Sequence, residues 1–286
     1  MKILLTGKNG QVGWELQRTL CALGDVVALN SAEMNLADPD EITRVVGRVR
    51  PGLIVNAAAY TAVDKAESEP DLAMAINGLA PSILAEEAKR LGIMLIHYST
   101  DYVFDGSKSG AYAEDDIPAP LNVYGHSKLA GEQAITASGC RHLILRTSWV
   151  YGLRGKNFLL TMLRLLQEKQ VLSVVSDQHG SPTWSRMIAE VTAILASRDA
   201  AANGIYHLTS AGGISWCEFA ARIAAWLDAN GRNAATIHPI TSQEYPTPAR
   251  RPLNSLLSSA KLESDFAVRI PDWARAFDMA AADLHL

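Results

Sequence analysis

Residues 2–17 read KILLTGKNGQVGWELQ, an apolar run that halts at a glycine and passes into a helical pattern. Ile3, Leu4 and Leu5 leave no polar face, as a strand buried on both sides requires. Gly7, Gly10 and Gly13 then form G-x-x-G-x-x-G. A glycine lets the chain turn sharply off the strand, and a backbone without side chains lets a pyrophosphate approach. The helix beginning near Gln11 offers its free N–H groups and positive dipole end to the phosphates. The stretch predicts a strand–turn–helix unit suited to a dinucleotide, with Gly7, Gly10 and Gly13 at the coenzyme.

The same pattern recurs downstream. Short apolar runs at 25–29, 53–56, 93–98 and 143–146 alternate with helical patterns near 11–22, 39–49, 71–91 and 125–138. Asp38-Pro39-Asp40-Glu41 carries a helix start, with Asp as N-cap, Pro at the first helical position and Glu at the third. Alternation of this kind predicts an α/β fold: a doubly wound parallel (Rossmann) sheet with helices on both faces. The second half is less regular. It holds helical patterns near 156–169 and 185–197, the loop DQHGSPTW, and a strand-like GIYHLTS at 204–210. The capping box Ser215-x-x-Glu218 opens a further helix that Gly231 closes. We expect residues 1–150 to form an NAD(P)-binding domain and 151–286 a smaller mixed α/β substrate domain. Residues 204–210 have the option of returning to the large sheet.

Tyr124-x-x-x-Lys128, in NVYGHSKLAGEQ, supplies the chemistry. Residues four apart share a helix face. A tyrosine with its reference pKa near 10 exchanges protons poorly at neutral pH, and a neighbouring ammonium favours the phenolate. Ser99-Thr100-Asp101 follows the fourth strand at the sheet edge where ligands bind, so a hydroxyl there can hold a substrate oxygen while Tyr124 protonates it. Asn56-Ala57-Ala58-Ala59-Tyr60-Thr61 follows the third strand, and its small residues allow close approach of a cofactor. The second strand ends at Leu29-Asn30-Ser31. An acidic residue there binds a ribose 2′-OH and favours NAD, and an arginine favours NADP. Asn30 does neither, so NADPH and NADH both remain open.

The bulk numbers narrow the remaining classes. A formal net charge of −4 gives no electrostatic case for a nucleic-acid partner. No run reaches the roughly 18 uninterrupted apolar residues of a membrane helix. Cys21, Cys140 and Cys217 are scattered and odd in number, which fits a reducing, cytoplasmic setting. His97, His126 and His179 have no metal-like spacing; we read His97 as a strand residue and the other two as loop residues.

The segments ILLTGKNGQVGWELQ, VNAAAYTAVDKAESEP, HYSTDYVFDG, PLNVYGHSKLAGE, LRTSWVYG, GSPTW and YPTPARRPLNS span nearly the whole chain. Together they resemble the extended short-chain dehydrogenase/reductases and, within them, the dTDP-4-dehydrorhamnose reductase family. The resemblance implies NAD(P)H-dependent reduction of the C4 ketone of dTDP-4-dehydro-β-L-rhamnose. It places Gly10, Gln11 and Val12 at the coenzyme pyrophosphate, Asn30, Asn35 and Leu36 near the adenosine, and Ala59, Tyr60 and Thr61 further along the coenzyme. Thr100 matches the family's active-site hydroxyl, Tyr124 its acid, and Lys128 the lysine that also binds the nicotinamide ribose. Asp101 and Trp149 match substrate-contacting positions.

Arg250 and Arg251 suit a pyrophosphate, because guanidinium forks pair bidentately with phosphate oxygens; the alternative is an ion pair. Asn157 is a further candidate contact to the sugar diphosphate. Mg²⁺ enters through the resemblance alone, since no ligand cluster is visible. The expected partner is a dTDP-sugar, with no nucleic acid or membrane, and the protein is expected to be a monomer or homodimer. Two other functions stay open: reduction of another dTDP- or GDP-4-keto-6-deoxy sugar, and the regulatory subunit of methionine adenosyltransferase, which resembles the same family without catalysing.

Overall fold

Six of the apolar runs pair into one parallel sheet in the computed structural model, which describes residues 1–198 and 203–284. Strands β1 (Lys2–Thr6), β2 (Asp25–Leu29) and β3 (Leu53–Asn56) have the bounds expected from sequence. β4 (Met94–Thr100) and β5 (Arg141–Thr147) run slightly longer than their apolar runs. The sixth strand, Gly204–His207, pairs with β5 through Leu143–Arg146. The spatial order is Gly204–His207, β5, β4, β3, β1, β2. All six strands run parallel, but the order in which they are added across the sheet reverses between β1 and β3, and in open parallel sheets ligands bind at such a switch.

The sheet is buried on both faces because alternate residues point opposite ways. Ile3, Leu5, Val55, Ile96, Leu143 and Leu145 join one core, and Leu4, Ile54, Leu95 and Ile144 the other. Helices α1 (Gln11–Thr19) and α8 (Ser185–Ser197) supply Leu16, Ile188 and Leu195 to the first core. Helix α2 (Pro39–Val49) supplies Ile42, Val45 and Val46 to the second, with Leu84 and Ala88 from α5 (Ala80–Leu91) and Ile135 from α6 (Val123–Ser138). Asp38 caps α2 by accepting from the Glu41 N–H, as its motif predicts.

The helical pattern at 71–91 is not one α-helix. Short helices α3 (Val63–Ala66) and α4 (Pro70–Met74) lead into a π-turn, Ala75–Leu79, before α5. Pro81 is the cause: it has no N–H for the Asn77 carbonyl four residues back, and its ring crowds that oxygen. α6 exploits the bulge. A Cβ on Gly131 would stand 2.2 Å from the Asn77 oxygen, so only glycine lets the two helices approach this closely. His126 lies inside α6, which Asn122 starts early by accepting from the Gly125 N–H. His179 pairs with Ser215 in a two-residue ladder. Neither histidine is the loop residue expected from sequence.

α6 is fixed to the sheet by a buried ion pair. Arg146 of β5 grips Glu132 with Nε at 2.9 Å and Nη2 at 2.7 Å, both side chains 2% exposed. Removing one partner of such a pair strands a charge. Arg146→Met is expected to lose about 3–5 kcal/mol of stability, measured by denaturant unfolding. Arg146→Met combined with Glu132→Leu should recover a large part of that loss.

Candidate active site

Gly7 takes the chain off β1 with φ +75°, and a Cβ there would stand 2.8 Å from the Ala57 and Ala58 backbone. The turn and the loop after β3 thus touch across the strand-order switch. Gly10 caps α1 with no side-chain hydrogen bond, so the first N–H groups of that helix stay available to a ligand. Above them opens a cavity of about 550 Å³ that runs from Asn30, Ser31 and Asn35 past the turn to Tyr124 and Lys128. Gly7, Gly10, Gln11, Val12, Leu36, Ala59 and Thr61 line it. The buried hydroxyls Ser99 Oγ and Thr147 Oγ1 make no hydrogen bond among the described residues. Both residues line the same cavity, which suits an elongated polar coenzyme and its substrate.

Several expected site residues stand elsewhere. Gly13 is not on the wall; a Cβ there would meet the Gly7 oxygen at 2.0 Å, so its role is packing α1 onto the turn. Tyr60 turns its hydroxyl away to Glu69 at 2.7 Å, while its backbone N–H donates to Asn77 Oδ1. Asn30 and Asn35 line the cavity, but their amide oxygens accept from the Ala32 and Ala37 N–H groups within local turns. Asn157 caps α7 (Phe158–Glu168) and donates to Gln11 Oε1.

Near Tyr124, Thr100 donates to Asp101 Oδ1 at 3.0 Å and accepts the Tyr102 N–H. The Tyr102 and Tyr124 rings meet edge to face at 5.6 Å. Lys128 Nζ donates to the Tyr98 carbonyl at 2.6 Å and lies 3.2 Å from His97 Nε2. Its pKa falls to about 8, because burial disfavours the ammonium more than Glu132 supports it. The expected lowering of Tyr124 by Lys128 is not what this arrangement gives. Burial pushes Tyr124 up to about 12, with Thr100 pulling against it and Asp101 adding to the rise. Asp101 rises to about 6, again through burial, against hydrogen bonds from Ser255 and Thr100.

Loops of the second half reach α3 and the start of α6. Arg251 pairs with Asp64 of α3 at 2.8 Å and also contacts Thr247, so it forms the ion pair weighed as its alternative. The Arg250 side chain is exposed, and its carbonyl accepts from Asn122 Nδ2 at the start of α6. Trp149 sits at φ +47° and stacks on Trp216, ring centroids 3.3 Å apart.

Lys8 and Glu33 escaped the sequence reading. Lys8 follows the glycine turn, and its Nζ pairs with Glu33 Oε2 at 2.5 Å while that carboxylate accepts the Asn30 N–H. Asn77 was legible in principle as an Asn-Gly pair shortly before Pro81. No group of three or more His, Cys, Asp or Glu among the described residues is placed to hold a metal ion, so the Mg²⁺ of the resemblance finds no ligand set. No helix among them is long and apolar enough to cross a membrane.

The family model described as "RmlD substrate binding domain" matches residues 1–285. A dTDP-4-dehydrorhamnose reductase of Burkholderia thailandensis is 49% identical, covering 99% of both chains. That of Escherichia coli K12 is 45% identical over 96% of this chain and 94% of its own. Among solved structures, a Bacillus anthracis dTDP-4-dehydrorhamnose reductase in complex with NADP superposes with TM-score 0.93 at 34% identity, covering 99% of each. A Thermus thermophilus UDP-glucose 4-epimerase in complex with NAD shares the fold at TM-score 0.81 and 20% identity, with full coverage of both chains.

The Asp101 shift has a stability consequence. Its folded pKa of about 6 exceeds the unfolded 3.8, so the folded chain keeps a proton that the unfolded chain releases. Stability from this group is full below the unfolded value and is lost as pH rises toward 6. Asp101→Asn should therefore raise Tm above pH 6 relative to the wild type, by the equivalent of up to about 3 kcal/mol, and should show no such gain below pH 4. Thermal melts across that range measure it.

Proposed function

The chain belongs to the dTDP-4-dehydrorhamnose reductase family, and from that membership we propose that it reduces the C4 ketone of dTDP-4-dehydro-β-L-rhamnose to dTDP-L-rhamnose. The observation that carries the reading is the meeting of Tyr124 and Lys128 on one cavity with the glycine turn. It occurs in a chain that matches these reductases over almost its whole length.

A bound nicotinamide coenzyme supplies the hydride. The chain's own residues manage the proton. Burial keeps Tyr124 as the phenol, with the hydroxyl of Thr100 beside it. As the ketone oxygen takes on negative charge, the Tyr124 O–H bond breaks, an O–H bond forms on the sugar, and a tyrosinate remains. Lys128 shares the cavity wall, and its positive charge favours that tyrosinate. Thr100 and the unpartnered Ser99 and Thr147 hydroxyls are the groups on hand to orient polar atoms of the reactants. Asp101 and Trp149 border the sugar in this reading, and Arg250 reaches its diphosphate. Ala59, Thr61 and Leu36 flank the coenzyme.

We assign residues 1–150 chiefly to the coenzyme and 151–286 chiefly to the sugar nucleotide, and a cytoplasmic site of action belongs to the same proposal. Either NADPH or NADH is accepted. No carboxylate or arginine replaces Asn30, and Lys8 and Glu33, beside that end of the cleft but off its wall, neutralise one another.

Two measurements test this. Tyr124→Phe should lower kcat about 10²–10⁴-fold while binding NADPH as the wild type does; near-normal turnover by coenzyme absorbance would remove Tyr124 from the mechanism. Lys8→Ala should raise KM for NADPH by about three- to tenfold, the worth of one charge-assisted contact, and leave KM for NADH nearly unchanged.

A further inference from the structure

A row of polar side chains crosses three neighbouring strands beneath Lys128, and the reduction just described does not use it. Thr6, Asn56 and His97 are register partners on β1, β3 and β4. Thr6 Oγ1 donates to Asn56 Oδ1 at 2.6 Å, Asn56 Nδ2 faces His97 Nδ1 at 2.9 Å, and His97 Nε2 faces Lys128 Nζ at 3.2 Å. None of the four residues is more than 2% exposed. The two ends of the row, Thr6 and Lys128, both line the cavity.

Burial drives the His97 pKa well below its ordinary value, and Lys128 adds to the effect, so the ring is neutral. A neutral imidazole donates through one nitrogen and accepts through the other. Each partner then constrains the next. With the Asn56 NH₂ toward Nδ1, the ring proton sits on Nε2 and points at Lys128, whose nitrogen must answer with a lone pair. That nitrogen is then a free amine. An ammonium has no lone pair to offer. Against it Nε2 must accept, the ring proton must sit on Nδ1, and Asn56 must present Oδ1 to His97 and NH₂ to Thr6.

We propose that His97 is a positioning residue for Lys128, its tautomer coupled to the lysine's charge through Asn56 and Thr6, so that the row holds the lysine in place in both protonation states. The inference rests on the reading of Lys128 as part of the reductase site, but the tautomer measurement that tests it first needs no substrate and so stands or falls separately. The titratable and charged groups facing Lys128 are few. Tyr124 lies one turn before it and Glu132 one turn after, with Glu132 held by Arg146 of β5. His97 faces it from β4, and Asp101 acts on Tyr124 from the turn that follows. With the Lys128 pKa near 8, both charge states are reached in ordinary buffers.

The test is long-range ¹H–¹⁵N correlation on the full chain labelled at histidine, recorded on either side of the Lys128 titration. His97→Gln identifies the signal. The expected result is a neutral ring throughout, protonated on Nδ1 at the acid side and on Nε2 at the alkaline side. Lys128→Met should abolish the switch. The same tautomer at both pH values, or a switch that persists in Lys128→Met, overturns the proposal.

Asn56→Asp offers Nδ1 only acceptor oxygens. It should pin the Nδ1–H form and move the alkaline limb of the kcat profile up by about one pH unit, the scale of one hydrogen bond. In a His97→Gln background that movement should vanish; if it survives, the carboxylate acts by charge alone and the row transmits nothing.

Discussion

Lys128 comes to the cavity from beneath with 2% exposure, and a buried amine is tolerated only where acceptors meet its N–H groups. The Tyr98 carbonyl and His97 meet them, and both lie on β4. That requirement fixes the depth and rotation of α6 against the sheet edge. Much of the packing around α6 serves it. Glu132 is clamped by Arg146, and Gly125 and Gly131 let the helix touch the Tyr102 and Asn77 carbonyls without an intervening Cβ. Tyr124 takes its place because Lys128 has been placed.

The same helix joins the two halves of the chain. Asn122, its N-cap, also donates to the Arg250 carbonyl, and Val123 donates to Glu67. Arg251 reaches across to Asp64. The loop at 247–252 is therefore anchored to the elements that frame Tyr124. Any displacement of that loop would be felt at Asn122, two residues before the tyrosine.

The parts legible in sequence are those that local chemistry decides. The strands 2–6 and 53–56 have observed bounds that match their apolar runs, because residues buried on both faces leave no ambiguity of period; the partly buried edge strand 25–29 matches its run as well. The Asp38 cap and the Ser215–Glu218 capping box are settled within four residues of chain. The missed features depend on contacts distant in sequence. The π-turn has a local cause in Pro81, but its use, the seating of Gly131, lies fifty residues away. Tyr60 faces Glu69 because Asn77 holds its backbone from that turn. His97 was a polar residue inside an apolar strand, and only the register with Asn56 and Thr6 gives it partners. Arg251 reads like a phosphate ligand until Asp64 is seen opposite it.

The proposed chemistry delivers hydride and proton across the C4 carbonyl of a dTDP-sugar at the Tyr124 end of the cleft. Turnover of dTDP-4-dehydro-β-L-rhamnose with coenzyme deuterated at the transferring position, followed by NMR of the product, tests it most directly. The expected outcome is one deuterium at sugar C4, dTDP-L-rhamnose as the product, and one coenzyme oxidised per sugar. A product without deuterium at C4, or label returned to the coenzyme with no net oxidation, would contradict it.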